Sequence, residues 1–190
     1  LVFSFEAKYG GVFPAERFAE FRQAALGMGL DPYCVFMGWN PASDFRTAGP
    51  LGFAAVSHYA CGSSDATFAQ LCDRVELGYW RQAAAAGVPY VPLVTTGWDK
   101  NPRKDNPVSW EKEHSYHKQG VFPSAPAPEQ IASHLTRALD FVRAHPGVCV
   151  PNAIVIYAWN EYDEGGWLAP TLAPDGGPNT ERLRAIGEVL

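Results

Sequence analysis

Apolar and polar positions alternate in blocks along this chain. Val2–Phe5, Tyr33–Met37, Gly52–Ser57, Tyr90–Val94 and Ala153–Tyr157 are short apolar runs rich in β-branched and aromatic residues. Each predicts a buried strand. The stretches between them predict helices. One runs from Pro14 to about Leu26, with Pro14 in its first turn and Phe18, Phe21 and Ala25 on one face. A second covers roughly Ala66–Ala86, capped by Ser64 or Asp65 and stopped by Gly87. A third covers Pro128–Ala144, opening on Glu129 and ended by Pro146-Gly147, and a last one lies near Thr180–Leu190. The remainder predicts loops: Glu6 to Gly11, Trp39 to Pro50, and a polar stretch from Thr95 to about Pro126 that is too long for a mere connection.

Strands alternating with helices imply a parallel sheet with crossover helices. Every strand is followed by a loop holding Trp, Tyr, Asp, Glu, Asn or His, as expected of a working face at the strand C-termini. No GxGxxG or Walker pattern follows any strand, which disfavours nucleotide binding. The α/β class is therefore expected, and within it a (β/α)8 TIM-type barrel rather than a doubly wound sheet. Five strands fall short of eight. Residues 1–190 are accordingly expected to form a single partial barrel domain, the C-terminal portion, with the N-terminal strands preceding Leu1. The chain opens directly on a strand, without an initiator Met, a charged n-region or a cleavage site, and its last helix stops without a cap. It reads as a piece of a longer protein, with no internal repeat or linker.

Charge and cysteine usage narrow the chemistry. A net charge of −5 without a basic run argues against a nucleic-acid partner. No apolar stretch is long enough to span a membrane. Cys34, Cys61, Cys72 and Cys149 show no CxxC or CxxH spacing, so no zinc site is expected, and their disulfide state stays open. His114 and His117 have no evident third ligand and read as part of a solvated segment. Neither metal nor cofactor is expected, and oligomeric state is not readable. The compartment is open too, with an extracellular or periplasmic site following if a preceding segment carries a signal peptide. Aromatic residues make up 13%, many of them beside Gly, Pro and Asn in the expected loops, a placement that suits stacking on sugar rings as well as ordinary packing.

The sharpest chemistry lies at the end of the fifth strand, where Ala153-Ile154-Val155-Ile156-Tyr157 runs into Ala158-Trp159-Asn160-Glu161-Tyr162-Asp163-Glu164-Gly165-Gly166-Trp167. Glu161 and Glu164 would point to opposite sides if the strand continued. If the chain turns helically after Asn160 they share one side, with Cβ atoms about 5–6 Å apart. A carboxyl pair roughly 5 Å apart fits retaining glycoside hydrolysis, whereas inversion needs roughly 6.5–9.5 Å. An aromatic setting of Trp159, Tyr162 and Trp167 would keep one carboxyl protonated while the other ionises. The alternative is two idle acids in a solvated turn. Gly97-Trp98-Asp99 after the fourth strand offers a tight turn, a stacking face and a polar group. Asp99 and Arg103 bind hydroxyls or form a loop-fixing ion pair. Glu6 and Lys8, Trp39 and Asn40, and His58 and Tyr59 follow the first three strands and point either into a barrel mouth or into packing.

Two of these segments together carry a family resemblance. Val91-Pro92-Leu93-Val94-Thr95-Thr96-Gly97-Trp98-Asp99-Lys100-Asn101-Pro102-Arg103, followed by Ala158-Trp159-Asn160-Glu161-Tyr162-Asp163-Glu164-Gly165, resembles the glycoside hydrolase family 99-like proteins. That group takes in endo-α-mannosidases and the WbsX-like proteins of polysaccharide gene clusters. The resemblance runs from about Tyr33 to the C-terminus. It departs at Tyr162, where the family usually has Trp, and at Ala169-Pro170-Thr171, which replaces an acidic-Pro step. It implies a retaining, endo-acting glycosidase of polysaccharide or glycan. Glu161 would be the base on the sugar 2-hydroxyl, giving a 1,2-anhydro intermediate, and Glu164 the acid on the leaving oxygen. Two other functions stand beside it: a non-catalytic glycan-binding barrel, and a polysaccharide-biosynthesis protein of glycosyltransferase type. The latter is disfavoured because no Asp-x-Asp or nucleotide-sugar site is present. Two close acids with split protonation states are needed only by the hydrolase.

Overall fold

A computed structural model describes residues 1–5, 15–62, 67–105, 108–109, 122–123 and 125–190. Its strands are β1 (Val2–Phe5), β2 (Cys34–Gly38), β3 (Ala55–His58), β4 (Leu93–Thr95) and β5 (Val155–Tyr157). β2 pairs in parallel with β1 and with β3, and β4 pairs in parallel with β5. A parallel bridge between Val56 and Tyr90 joins the two sets. The strands therefore follow one another in chain order, all parallel, with helices between them, and the fold is α/β. One side of the sheet carries Phe36, Val56 and Tyr90 into the main core, against Leu71, Val75 and Trp80 and against Ile131 and Leu135. The other side holds a smaller cluster of Val35, Ala55 and Val91. Burial on both faces explains why β2, β3 and β4 read as continuous apolar runs, whereas β1 leaves Val2 and Phe3 exposed.

The helices are α1 (Ala15–Gly27), α2 (Pro41–Ala48), α3 (Phe68–Val75), α4 (Arg81–Ala86), α5 (Asn101–Asp105), α6 (Pro128–Ala144) and α7 (Glu181–Gly187). α6 has the limits its sequence predicts. Its first turn holds Pro128, and the Gln130 side chain accepts from the Ala127 amide at 2.9 Å.

Several boundaries differ from the sequence expectation. The expected loop from Trp39 to Pro50 contains α2. Asn40 caps it by accepting from the Ser43 amide at 3.1 Å, and Pro41 occupies the first turn, where no N–H is needed. Asp44 then reaches back to accept from the amides of Trp39 and Asn40, both at 2.6 Å. β3 begins at Ala55, not Gly52, because Gly52 adopts a left-handed conformation (φ 99°) that ends a 3-10 turn over Gly49–Leu51. β4 begins at Leu93, past Pro92, which has no N–H to add to a ladder. The second predicted helix starts after Thr67, whose hydroxyl and Gln70 form a capping box, and it carries a π-helical stretch over Glu76–Trp80 before α4. Ser64 and Asp65 lie outside the described residues, as do the Glu6 to Gly11 loop and His114 and His117. Part of the expected Thr95–Pro126 loop is the short helix α5.

After β5 come two small antiparallel pairs. The ribbon β6 (Asn160–Glu161) and β7 (Gly166–Trp167) brackets a 3-10 turn over Tyr162–Glu164. The second pair is β8 (Thr171–Leu172) with β9 (Pro178–Asn179).

Candidate active site

The ends of β4 and β5 are latched together. The Tyr157 carbonyl accepts from both the Thr96 amide (2.8 Å) and the Thr96 hydroxyl (2.6 Å), and that hydroxyl in turn accepts from the Ala158 amide at 3.2 Å. Further out, the Asp99 amide donates to the Glu164 carbonyl at 2.7 Å. Gly97 (φ 139°) and Gly165 (φ 74°) make this approach possible. A Cβ on Gly97 would collide with the Gly165 carbonyl, and one on Gly165 with the Asp99 amide. The Gly-Trp-Asp and Asn-Glu-Tyr-Asp-Glu-Gly segments thus pack backbone against backbone.

The chain does turn after Asn160. In the 3-10 turn, residues three apart eclipse, and Glu161 and Glu164 come round to one guanidinium. Arg103 Nη1 meets Glu164 Oε1 at 2.6 Å, its Nε meets Asp163 Oδ2 at 2.8 Å, and its Nη2 lies 3.8 Å from Glu161 Oε2. Lys100 Nζ lies 3.3 Å from Glu164 Oε1 and 5.2 Å from the centre of the Trp98 ring. The Tyr157 hydroxyl donates to Glu164 Oε2, and the Tyr59 hydroxyl donates to Glu161 Oε1 at 3.0 Å. Aromatic rings wall the group: Tyr59 meets Tyr157 edge-on at 5.4 Å, and Trp98 lies 5.8 Å from Tyr157. For both phenols, burial and then the hydrogen bond to the neighbouring carboxylate push the pKa up, so both remain donors across the neutral range.

The two carboxylates differ in surroundings. Glu164 is 8% exposed, with two cations on one oxygen and a phenol on the other. The Glu161 side chain is 31% exposed, and its contact with Arg103 is loose. Glu161 therefore has an edge available to an incoming ligand, whereas Glu164 is enclosed by donors.

The structure thus assembles Glu161, Glu164, Tyr59, Trp98 and Arg103. The remaining expected site residues meet other partners. His58 is fully buried in the core. Its Nδ1 lies 2.9 Å from the Tyr90 hydroxyl, its ring stacks 3.5 Å from Tyr79, and desolvation lowers its pKa to about 3. It is a neutral core residue rather than a group of the cleft. Asp99 does not pair with Arg103. Its carboxylate accepts from the Asn101 amide at 2.8 Å, while Arg103 turns to carboxylates some sixty residues away. In the β6–β7 ribbon Asn160 lies opposite Trp167 and Glu161 opposite Gly166, so Asn160 and Trp167 leave on the face away from Glu161. Trp167 is covered by the Arg182 guanidinium at 3.7 Å, and Tyr162 leans on it at 6.0 Å, exposed and away from the acid pair. Trp159 is exposed, and Trp39 is exposed beside the α2 cap with no described contact to the carboxylates. Glu6 and Lys8 lie outside the described residues.

Sequence reasoning missed Lys100, Tyr157 and Asp163. Lys100 and Arg103 carried a usable signal, since a short turn at Asn101-Pro102 puts residues three apart on one side. Among the described residues no group of His, Cys, Asp and Glu is arranged to hold a metal ion, and no helix is long and apolar enough to cross a membrane. The four cysteines are buried and none is in a disulfide, and burial pushes Cys72 up to about 12 and Cys149 to about 11.

No family model matches the chain, and no curated protein matches it either. Among solved structures, it is similar to an endo-α-mannosidase of glycoside hydrolase family 99 from Bacteroides thetaiotaomicron, in complex with bis-tris-propane. The alignment covers 97% of this chain at 15% identity with a TM-score of 0.48. The chain spans 54% of the length of that protein.

Proposed function

We propose that this chain is part of a (β/α)8-barrel glycoside hydrolase acting on a polysaccharide or glycan, with Glu161 and Glu164 as its working carboxyls. The observation that carries the reading is the convergence of both glutamates on Arg103, beside Tyr59, Tyr157 and Trp98, where β3, β4 and β5 end. Acid pairs among aromatic walls at that end of a parallel sheet suit glycosidic cleavage. The route implied by the family resemblance is retaining. Glu161 takes the proton of the sugar 2-hydroxyl as that oxygen bonds to the anomeric carbon. The glycosidic bond breaks, and its oxygen takes a proton from Glu164. Water then opens the 1,2-anhydro sugar: its hydroxyl bonds to the anomeric carbon, its other proton goes to Glu164, and the proton held by Glu161 returns to the 2-oxygen as the epoxide C–O bond breaks. For Glu164 to enter this cycle protonated, a proton must take the place of one of its present donors, Arg103 or Lys100 on Oε1 or the Tyr157 hydroxyl on Oε2.

That requirement is why a second reading, a glycan-binding barrel without turnover, stands beside the first. A carboxyl ringed by Arg103, Lys100 and the Tyr157 hydroxyl is arranged as an acceptor. The test uses the intact protein on α-mannans and related bacterial polysaccharides, with product anomers read by NMR. Under the hydrolase reading, Glu161→Gln and Glu164→Gln each lower turnover on the order of a hundredfold or more. An activated aryl glycoside or glycosyl fluoride restores much of the rate to Glu164→Gln but not to Glu161→Gln. Binding without hydrolysis in the unaltered protein would leave the second reading.

A further inference from the structure

On the far side of the β6–β7 ribbon from Glu161 lies a cleft of about 150 Å³ that shares no lining residue with the carboxylate site. Its apolar wall includes Pro126 and Trp167. Its rim is polar and set by backbone pairing. Thr171 and Asn179 are direct partners in the β8–β9 hairpin, so their side chains leave on one face, while Leu172 leaves on the other and is exposed. Asn179 is held at both ends of its amide. Its Oδ1 accepts from the Glu181 amide at 3.0 Å, and its Nδ2 donates to Glu181 Oε2 at 3.3 Å. Arg182 closes the wall, with Nη1 donating to the carbonyls of Thr96 (3.2 Å) and Trp167 (2.9 Å) and Nη2 to that of Pro126 (3.4 Å). Three of its five N–H groups are thereby used, leaving Nε and one hydrogen of Nη2.

The rim therefore mixes donors (Arg182, Asn179), an acceptor (Glu181) and a hydroxyl that does both (Thr171), over an apolar floor. An anion would meet the Glu181 carboxylate, and a cation would meet the Arg182 guanidinium. The ligand that satisfies every group is neutral, with an apolar ring face and hydroxyls that both donate and accept. We propose that this cleft is a second saccharide site, taking one neutral sugar unit of the same polymer that is presented to Glu161 and Glu164. This rests on the glycosidase reading for the source of the ligand. A single chain engaging both places would bind more tightly than a short one that fills either alone.

The test follows the indole N–H signals of the ¹⁵N-labelled full-length chain, each assigned by Trp→Phe substitution, during titration with neutral oligosaccharides from α-mannan and, separately, from dextran. The expected result is a shift of the Trp167 signal with one of them. Thr171→Ala with Asn179→Ala should weaken that response at least tenfold while any Trp98 response persists. If the double variant does not fold, the exposed Glu181→Gln should weaken the Trp167 response in the same sense. Shifts confined to Trp98 and Trp159, no shift at Trp167, or a Trp167 shift indifferent to these variants would each overturn the cleft assignment and leave the glycosidase reading untouched. That reading is judged separately, by hydrolysis of the same oligosaccharides.

Discussion

Tyr157–Glu164 and Tyr59–Glu161 are the same contact, a phenol donating to a carboxylate, made in two places. The inner pair is sealed, and its carboxylate also meets Arg103 and Lys100. The outer pair is only half-buried, and its carboxylate meets Arg103 only at 3.8 Å. In the interior, charges attract strongly and are costly to leave alone, whereas near water the same groups exchange partners readily. The inner pair is suited to holding the turn and the outer pair to meeting a ligand.

Arg103 serves both pairs, and its loss should have the largest effect. Arg103→Met removes the guanidinium from the buried Glu164, which keeps Lys100 and the Tyr157 hydroxyl. Removing one partner of a buried ion pair costs about 3–5 kcal/mol, and urea unfolding of the full-length chain should show a loss of that size. A loss under about 1 kcal/mol, the range of exposed pairs, would mean that the inner half is not sealed.

His58 and Tyr59 repeat the contrast in one dipeptide, the first turned into the core and the second towards the site. His58 and His134 are both buried and held at about 3, against 6.5 ordinarily. The unfolded chain therefore takes up protons that the folded one refuses. The stability this confers is complete above about pH 6.5 and is lost as pH falls towards 3, by up to about 1.4 kcal/mol per pH unit for each histidine. His58→Gln, which cannot titrate, should flatten the slope of unfolding free energy between pH 6 and pH 4. An unchanged slope would show that His58 takes its proton without unfolding.

Tyr157→Phe takes a donor from the buried carboxylate and should cost about 1–3 kcal/mol in the same urea measurement. Tyr59→Phe should cost less, about 1 kcal/mol or under, because water can reach the partly exposed Glu161 and replace the phenol. Its mark should instead be kinetic. On the proposed hydrolase reading, a Glu161 carboxylate that loses its positioning phenol should lower kcat/KM on the oligosaccharides the unaltered protein cuts. Equal stability losses in the two variants would erase the difference between inner and outer pairs.

Much of the frame was legible because it follows from periodicity. The runs around β2 and β5 and the amphipathic α6, opened by Pro128-Glu129, need only burial and a start signal to be read, and β1 shows its apolar, β-branched run although Val2 and Phe3 are exposed. What was misread turns on single residues whose role depends on context. Asn40-Pro41 reads equally as a loop or as a cap with its first-turn proline, and the Ser43 amide decides for the helix. The left-handed Gly52 delays β3, so that His58 becomes part of the strand and faces the core. Arg103 looks paired with Asp99 because they are close in sequence, yet its partners are brought by the β4–β5 latch. Two-residue strands such as β6 and β7 have no period at all, so the side taken by Trp167 could not be read before the pairing was known. The juxtaposition of Glu161 and Glu164 was legible only as a condition, a helical turn after Asn160.

The contact between Gly97 and Gly165 has a consequence for redesign. Neither segment can accept a side chain at that point without displacing the other, and Asp99 and Glu164 share a backbone hydrogen bond across the same seam. A graft meant to import a new sugar preference through residues 97–103 would have to bring residues 161–166 with it. The modular unit here is thus not a loop but a pair of segments about sixty residues apart, transplantable only together.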